Sequence, residues 1–546
     1  MRIPRLASPL LLIALALIGG WIAAWLLLPD EVAHLSFLVT IKLGIEVTAL
    51  CLLLGSFPLY AALRQPKWPK LPHVLVAVSL GSLLIPTIAR SLSLSALFSF
   101  SGPLATGLRV MRLWPQGQPL DSSHAAVVIA LVTLYLPFTL LILSESMPSL
   151  GRMPDVAGTL GAGVLQTSLR VTIPRLLRPL ATAGLVVFSQ VLGVIITPRI
   201  LGSEDVTLAV LIDDLLKRTM NTPEALRIAW AEMALAIPVA AVAAYFIEKE
   251  RTARARPLQP ALRFRGGRVL SVIPLVILAV VPGALLILSL GHSPILSMAS
   301  LFQSGPTLEW FRRALLEPGF RRVLLPSFMV WMAAAAFSIF PALLVSVLIL
   351  PYPQVRRSFR LLALVLLFVP QNALGVLLFM VLSRFPAAQA SIPAWLLGGM
   401  GQAVPGFAFA FLLMDRVGDR LRRSLALAST LGASAWQRLL KVALPNLAPS
   451  VAAAFVATAL ITLDDIIFVR YLPRLPVNTA ATELFGRARY GAAPDLAAAC
   501  ILMALFILLL VACGHIAREF PAIRRRLVAS VGRPKVAAEL GVEGAR

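Results

Sequence analysis

The sequence predicts an all-α membrane protein of about twelve transmembrane helices, arranged as two parallel six-helix repeats. Three observations carry that prediction. Of the 546 residues, 59% are hydrophobic and only 14% charged, whereas a soluble domain is nearer half apolar and a quarter charged. The apolar excess falls in runs of roughly 20 residues, the length that crosses a bilayer's hydrocarbon as helix. No ten-residue alternation of the kind that builds a barrel is present. Finally, one short polar segment recurs 271 residues further on, Gly161 in the first copy against Gly432 in the second, so each half carries one copy of a unit.

Taken in order, the apolar runs of the first half lie at about 9–28, 37–61, 72–95, 123–145, 180–202 and 228–247. Those of the second half lie at about 269–290, 324–350, 361–382, 392–414, 449–470 and 495–515. The first run follows Met1-Arg2-Ile3-Pro4-Arg5 as in a signal peptide. It is long for a signal h-region and no small-x-small site ends it, so it reads as a retained span with the N-terminus in the cytoplasm.

From that start, alternate loops should be basic. The inner loops carry Arg64, Lys67 and Lys70, then Arg152, Arg170, Arg175 and Arg178, and later Arg356, Arg357 and Arg360. The outer loops are poorer, with one exception at 291–322, which holds Arg312, Arg313, Arg321 and Arg322. The formal charge of +24 is therefore topological and does not point to nucleic acid. Cys51, Cys500 and Cys513 lie in apolar runs without metal-like spacing and read as small buried hydrophobes. The five histidines are scattered near span ends.

This divides the chain into a first transmembrane domain at 1–250, a basic linker at 251–268, a second transmembrane domain at 269–517 and a basic tail at 518–546. Six spans per half give both halves the same orientation, related by an axis along the membrane normal. Both termini and both copies of the repeated segment then face the cytoplasm.

The first copy reads Asp155-Val-Ala157-Gly-Thr159-Leu160-Gly161-Ala162, with Val171-Thr-Ile173-Pro174 beyond it. The second reads Ala426-Leu-Ala428-Ser-Thr430-Leu431-Gly432-Ala433, with Val442-Ala-Leu444-Pro445 at the same distance. Residues compatible with a short helix lead into a glycine that permits a turn. A second short helix follows, and Pro174 and Pro445 interrupt the pattern where the next span begins. Such an element, held at both ends by spans, can transmit a push from a soluble partner into the membrane.

These residues resemble the cytoplasmic loop motif of permease subunits of binding-protein-dependent ABC importers: Glu-Ala-Ala, three residues, Gly, nine residues, then Ile-x-Leu-Pro. The chain as a whole is similar to two fused permease domains, as in the iron(III) and thiamine importer group. The resemblance implies the type I importer permease fold in a bacterial cytoplasmic (inner) membrane. It implies that each loop is a coupling helix docking on a cytoplasmic ATPase subunit, two in all. The solute is iron(III), thiamine, a polyamine or another small molecule, brought by a periplasmic or surface-anchored binding protein. The coupling residues carried over are Asp155, Ala157, Gly161 and Pro174, with Ala428, Gly432 and Pro445. The family's leading Glu is Asp155 in one copy and Ala426 in the other, so the two loops are unequal. No Gly-x-x-x-x-Gly-Lys-Ser/Thr loop is present. ATP would bind the partner subunits, and no cofactor is expected on this chain, which reads as a transport subunit without catalytic residues or a metal cluster. The alternative is a self-contained twelve-helix secondary transporter, which has no reason to repeat this Gly-to-Pro spacing.

Polar residues inside spans mark candidate solute contacts. Asp464 and Asp465 follow Thr462-Leu463 one span after the second loop. Adjacent helical residues point about 100° apart, so one acid is expected to line the pathway while the other pairs with a neighbour such as Arg470. Pro370-Gln371-Asn372 and Pro86-Thr87 sit mid-span in corresponding positions, where a proline frees backbone groups and suggests a kinked pair of helices around a solute. Lys42 and Glu46, four residues apart in the second span, read as a mutually neutralising pair.

Overall fold

A computed structural model describes residues 7–63, 71–115, 118–146, 156–157, 159–202, 205–253, 267–291, 306–471, 477–490 and 493–531. Asp155, most of the linker and the end of the tail lie outside the described residues. Every element among those described is helical. Among the described residues, eight helices are long and apolar enough to cross a membrane, or up to ten if each of two bent pairs is one span. The expected runs at 9–28 and 180–202 enter as shorter apolar helices, Ile13–Leu27 and Leu176–Leu192. This is a multi-pass membrane protein.

The first half runs α1 (Ala7–Leu27), α2 (Glu31–Leu63), α3 (Leu71–Leu83), α4 (Thr87–Phe98), α5 (Pro103–Val110) and α6 (His124–Ser146). After the first repeated segment come α7 (Val164–Thr167), α8 (Ile173–Leu192), α9 (Ile196–Leu201), α10 (Leu208–Lys217) and α11 (Thr222–Ala253). The second half runs α12 (Gly267–Leu290), α13 (Glu309–Leu316), α14 (Pro318–Leu348), α15 (Pro353–Phe368), α16 (Gln371–Ser383) and α17 (Pro386–Ser391). It ends with α18 (Ala394–Asp415), α19 (Gly418–Thr430), α20 (Ala435–Gln437), α21 (Leu444–Asp464), α22 (Ile467–Arg470), α23 (Ala480–Ala488) and α24 (Pro494–Val531).

Local features recur between the halves. The bend between α3 and α4 is 98° and that between α15 and α16 is 95°, each at a proline, Pro86 and Pro370, that lacks an N–H and cannot continue the helix before it. Helices α8 and α21 both break before a short helix, α9 and α22. Thr207 and Thr479 cap the next helices, accepting from Val210 N and Thr482 N. The first N–H of each of those helices is taken by a hydroxyl from a long helix: Leu208 N by Thr40 Oγ1 at 2.9 Å, and Ala480 N by Ser327 Oγ at 2.8 Å.

The largest apolar core runs from Ala24 on α1 to Ile507 on α24 and so draws on both halves. Helix α12 packs on α2, α3 and α4, while α11 packs on α15 and α16. Leu15, Ile18, Ile22 and Leu26 of α1 remain exposed, as expected of a face turned to lipid.

Candidate functional site

The two repeated segments close their turns with the same bonds, and the second adds a capping box between Ser434 and Gln437 that Gly163 rules out in the first. In the first, Leu160 N donates to Val156 O at 3.0 Å and Ala162 N to Ala157 O at 3.0 Å. In the second, Leu431 N donates to Leu427 O at 3.1 Å and Ala433 N to Ala428 O at 3.0 Å. The hydroxyls of Thr159 and Thr430 each donate to the carbonyl three residues back, both at 2.8 Å. The bond from Ala162 to Ala157, spanning five residues around a left-handed glycine, is the Schellman way of ending a helix. Gly161 has φ +86° and Gly432 +80°, a region that residues with a Cβ enter at a cost. Leu160 and Leu431 project from these turns 81% and 86% exposed, with Trp436 67% exposed beside the second.

The prolines act differently from expectation. Helix continues from Ala435 to Asp464, so Pro445 does not interrupt it. A widened, π-helical stretch over Arg438–Ala443 precedes Pro445, and a matching one over Ser168–Thr172 precedes Pro174. Widening the turn just before a residue without an N–H absorbs the missing bond.

An ion network holds the second segment. Arg356 on α15 donates through Nε to Asp415 Oδ1 at 2.5 Å, through Nη1 to Asp419 Oδ1 at 2.6 Å and through Nη2 to the Asp415 carbonyl at 2.7 Å. Gly418 leaves room for that guanidinium, which an added Cβ would strike. Arg360, one turn on, joins Asp415 at 3.0 Å and Glu248 of α11 at 3.1 Å. The second turn is thereby tied to the long helix that ends the first half.

Deep in the helices, the bends expose carbonyls that side chains satisfy, as an apolar surrounding requires. The buried Arg90 guanidinium donates to the carbonyls of Ser82, Ile85 and Thr133. At the other bend, Ser189 Oγ donates to Phe368 O at 2.5 Å and Gln190 Nε2 to Leu367 O at 3.3 Å.

The two acids face different neighbours. Asp464 accepts from Thr87 N at 2.7 Å and Thr87 Oγ1 at 2.6 Å, across the boundary between halves and beside Pro86. Asp465 stays in its own half: it accepts from Ile467 N at 3.0 Å, Phe468 N at 3.3 Å and Gln402 Nε2 at 2.9 Å, capping α22. Arg470 pairs with neither; its guanidinium grips Asp213 at 2.9 and 3.2 Å. Glu46 likewise lies against His124 Nε2 at 2.5 Å, and among the described residues it is not seen to pair with Lys42.

At the bend of the second half, Pro370 and Asn372 lie against Gly193, where Asp464 has its counterpart position. Asn372 Nδ2 donates to Glu232 Oε2 at 2.6 Å, and both residues are wholly buried. Gln371 is half-buried at the start of α16. Thus Thr87, which follows Pro86, binds one acid, while Pro370 and Asn372 lie against Gly193 and Asn372 binds Glu232. Glu232, Arg90 and Asp213 were missed by sequence reasoning. Glu232 and Arg90 are lone charges inside apolar runs, the signal that would have found them.

Comparison with known proteins adds one relationship. No protein-family model matches the chain. The chain is similar to transport permeases. It is 29% identical over 183 residues, 33% of this chain, to the molybdenum transport system permease protein ModB of Mycobacterium bovis, and equally to that of Mycobacterium tuberculosis. Those 183 residues are 67% of each relative.

Proposed function

We propose that this chain is the membrane permease subunit of an ABC importer, moving a small solute inward under the drive of separate ATPase subunits. The observation that carries the proposal is the pair of matching turns, each presenting a bare leucine, Leu160 or Leu431, on a polar segment between spans. An apolar group held out on a turn that both halves repeat is suited to seating in a partner's groove. Two turns call for two ATPase subunits. The turns then mark the cytoplasmic side, and twelve spans in two parallel repeats, split by the linker at 251–268, make the transmembrane unit.

The similarity supports the same reading. One alignment covers 33% of this chain but 67% of each relative, so each relative is about half as long, one permease-sized unit per half. The bends at Pro86 and Pro370, with Thr87, Asp464, Asn372 and Glu232, lie on the boundary between halves and form the candidate solute pathway; Gln371 and Asp465 flank it. The binding protein docks on the face opposite the turns. Neither a secondary transporter nor an enzyme accounts for the paired turns.

The test is assembly. The ATPase subunits of the same transport system should copurify with the wild-type chain. They should be lost when both Leu160 and Leu431 are replaced by Asp. Copurification unchanged in the double variant would reject the docking role of the turns.

A further inference from the structure

Four arginines come together where the two halves meet beyond the long helices, and they are related in pairs by the repeat. Arg199 and Arg470 occupy the last turns of α9 and α22, and Arg218 and Arg489 follow α10 and α23. Each pair is separated by 271 residues, the spacing of the two turns. The acids that face them are not repeated. Asp213 and Asp214 lie on α10, where the corresponding residues of α23 are Leu484 and Phe485.

The first-half acids therefore serve both sets. Asp213 takes Arg470 at 2.9 Å and Arg199 at 3.6 Å. Asp214 takes Arg218 at 3.0 Å and also Arg199. Arg470 and Arg489 both lie over the Phe485 ring, at 5.5 and 5.9 Å from its centre. Arg489 makes no ion pair among the described residues, and Arg199 Nε is buried without a partner. Lys217 adds a fifth cation. Burial lowers its pKa and the Arg470 charge lowers it further, with Asp213 acting the other way. Arg489 is lowered first by burial, then by Arg199 and Arg470.

Among the described residues, five cations thus share two carboxylates. A group serving only to lock the halves together would match its charges, because each surplus guanidinium repels the rest. A guanidinium's planar fork fits carboxylate and other oxyanions, and partial withdrawal from water strengthens that grip.

We infer that this arginine cluster is a receiving site for a small oxyanion, held between Arg199 and Arg218 of one half and Arg470 and Arg489 of the other. On the importer reading it lies at the outer end of the pathway, away from the turns, and the oxyanion is the solute on arrival. That last identification rests on the importer reading; the anion site itself does not.

The experiment is isothermal titration of the purified chain in nanodiscs at low ionic strength, with sulfate, molybdate and inorganic phosphate as probes and thiamine as the cationic comparison. At least one oxyanion should bind saturably, one per chain. Binding should weaken about tenfold or more in Arg489→Gln and in Arg218→Gln, the loss of one charge-assisted contact. Both side chains are at the surface, so folding is retained, and an unchanged elution profile and melting curve will show it. Absence of saturable oxyanion binding overturns the inference. So does an unaltered Kd in both variants, or saturable binding of thiamine alone. Because no ATPase is in the titration, its failure leaves the importer reading standing. Failure of the ATPase copurification would remove that reading while leaving the anion site.

Discussion

Asp464 and Thr87 are 377 residues apart in sequence, yet one threonine gives the aspartate both its backbone N–H and its hydroxyl, at 2.7 and 2.6 Å. The carboxylate is thus the cap of α4, supplied by the opposite half. A helix that starts inside an apolar bundle has N–H groups with no water to meet them. An acid from the facing half answers both that need and the positive end of the helix dipole.

Replacing Asp464 by Asn leaves one acceptor oxygen and turns an amide donor toward the other Thr87 donor. About 1–3 kcal/mol of interface stability should go with it. Solute uptake per assembled complex should fall several-fold, while Asp465→Asn, which disturbs the cap of α22 within one half, should act mainly on the melting temperature. Wild-type uptake in both variants would remove the acids from the solute pathway.

The two turns allow a test of conformation apart from space. A Cβ at Gly161 or Gly432 meets nothing within 4 Å, so bulk is no obstacle; only the φ of +86° and +80° is. Asn tolerates that region and β-branched residues do not. Gly161→Asn and Gly432→Asn should therefore keep solute-stimulated ATP hydrolysis in the reconstituted complex. The Val variants should lose most of it, through a local cost of about 1–2 kcal/mol. Equal stimulation in the Asn and Val variants would show that the turn geometry plays no part in coupling.

How far the sequence revealed this arrangement depends on the range of each interaction. Ala-x-Thr-Leu-Gly-Ala was legible because its turn is made by its own residues: the carbonyl of Ala157 and the N–H of Ala162 lie within one motif. The bends at Pro86 and Pro370 were legible for the same reason. Partners were not. Arg470 stands five residues from Asp465, and proximity in sequence suggested a pair; the break after α21 turns Arg470 away to Asp213, 257 residues back. Lys42 and Glu46 have helical spacing, yet His124 on α6 lies nearer to the carboxylate. Nothing in a single sequence tells which distant helix will be the neighbour. The count of spans was blurred because α1 and α8 are short apolar helices and two runs fold into bent pairs.

Gly193 gives a prediction that the chemistry of its neighbours makes sharp. The ideal Cβ there would lie 2.9 Å from Asn372 Oδ1, 3.0 Å from Pro370 Cβ and 3.3 Å from Pro370 Cα. A proline cannot yield by rotating, and Asn372 is held by its bond to Glu232. Gly193→Ala should therefore overpack the boundary and cost about 1–3 kcal/mol, seen as a lower melting temperature in nanodiscs. A melting curve superposable on wild type would mean that α16 gives way freely at its first turn.

The last prediction concerns the link between the turns and the bundle. Arg360 bridges Glu248, at the end of the first half, and Asp415, where α18 leads into the second turn. Glu248 and Asp415 are buried, so removing the cation leaves carboxylates short of a partner, whereas removing Glu248 alone leaves Arg360 its bond to Asp415. Arg360→Ala should therefore cost more than Glu248→Gln, about 3–5 kcal/mol against about 1–3 kcal/mol. The Arg360→Ala, Glu248→Gln double variant should cost less than the two single changes together, with a coupling energy of about 0.5–3 kcal/mol. If the bridge also carries motion from the second turn into the first half, Glu248→Gln should lower solute-stimulated ATP hydrolysis below the level its own stability loss explains. Full additivity of the stabilities would show that Arg360 and Glu248 do not act as a pair, and the mechanical link would then have to run through the packed face of α11 and α15 alone.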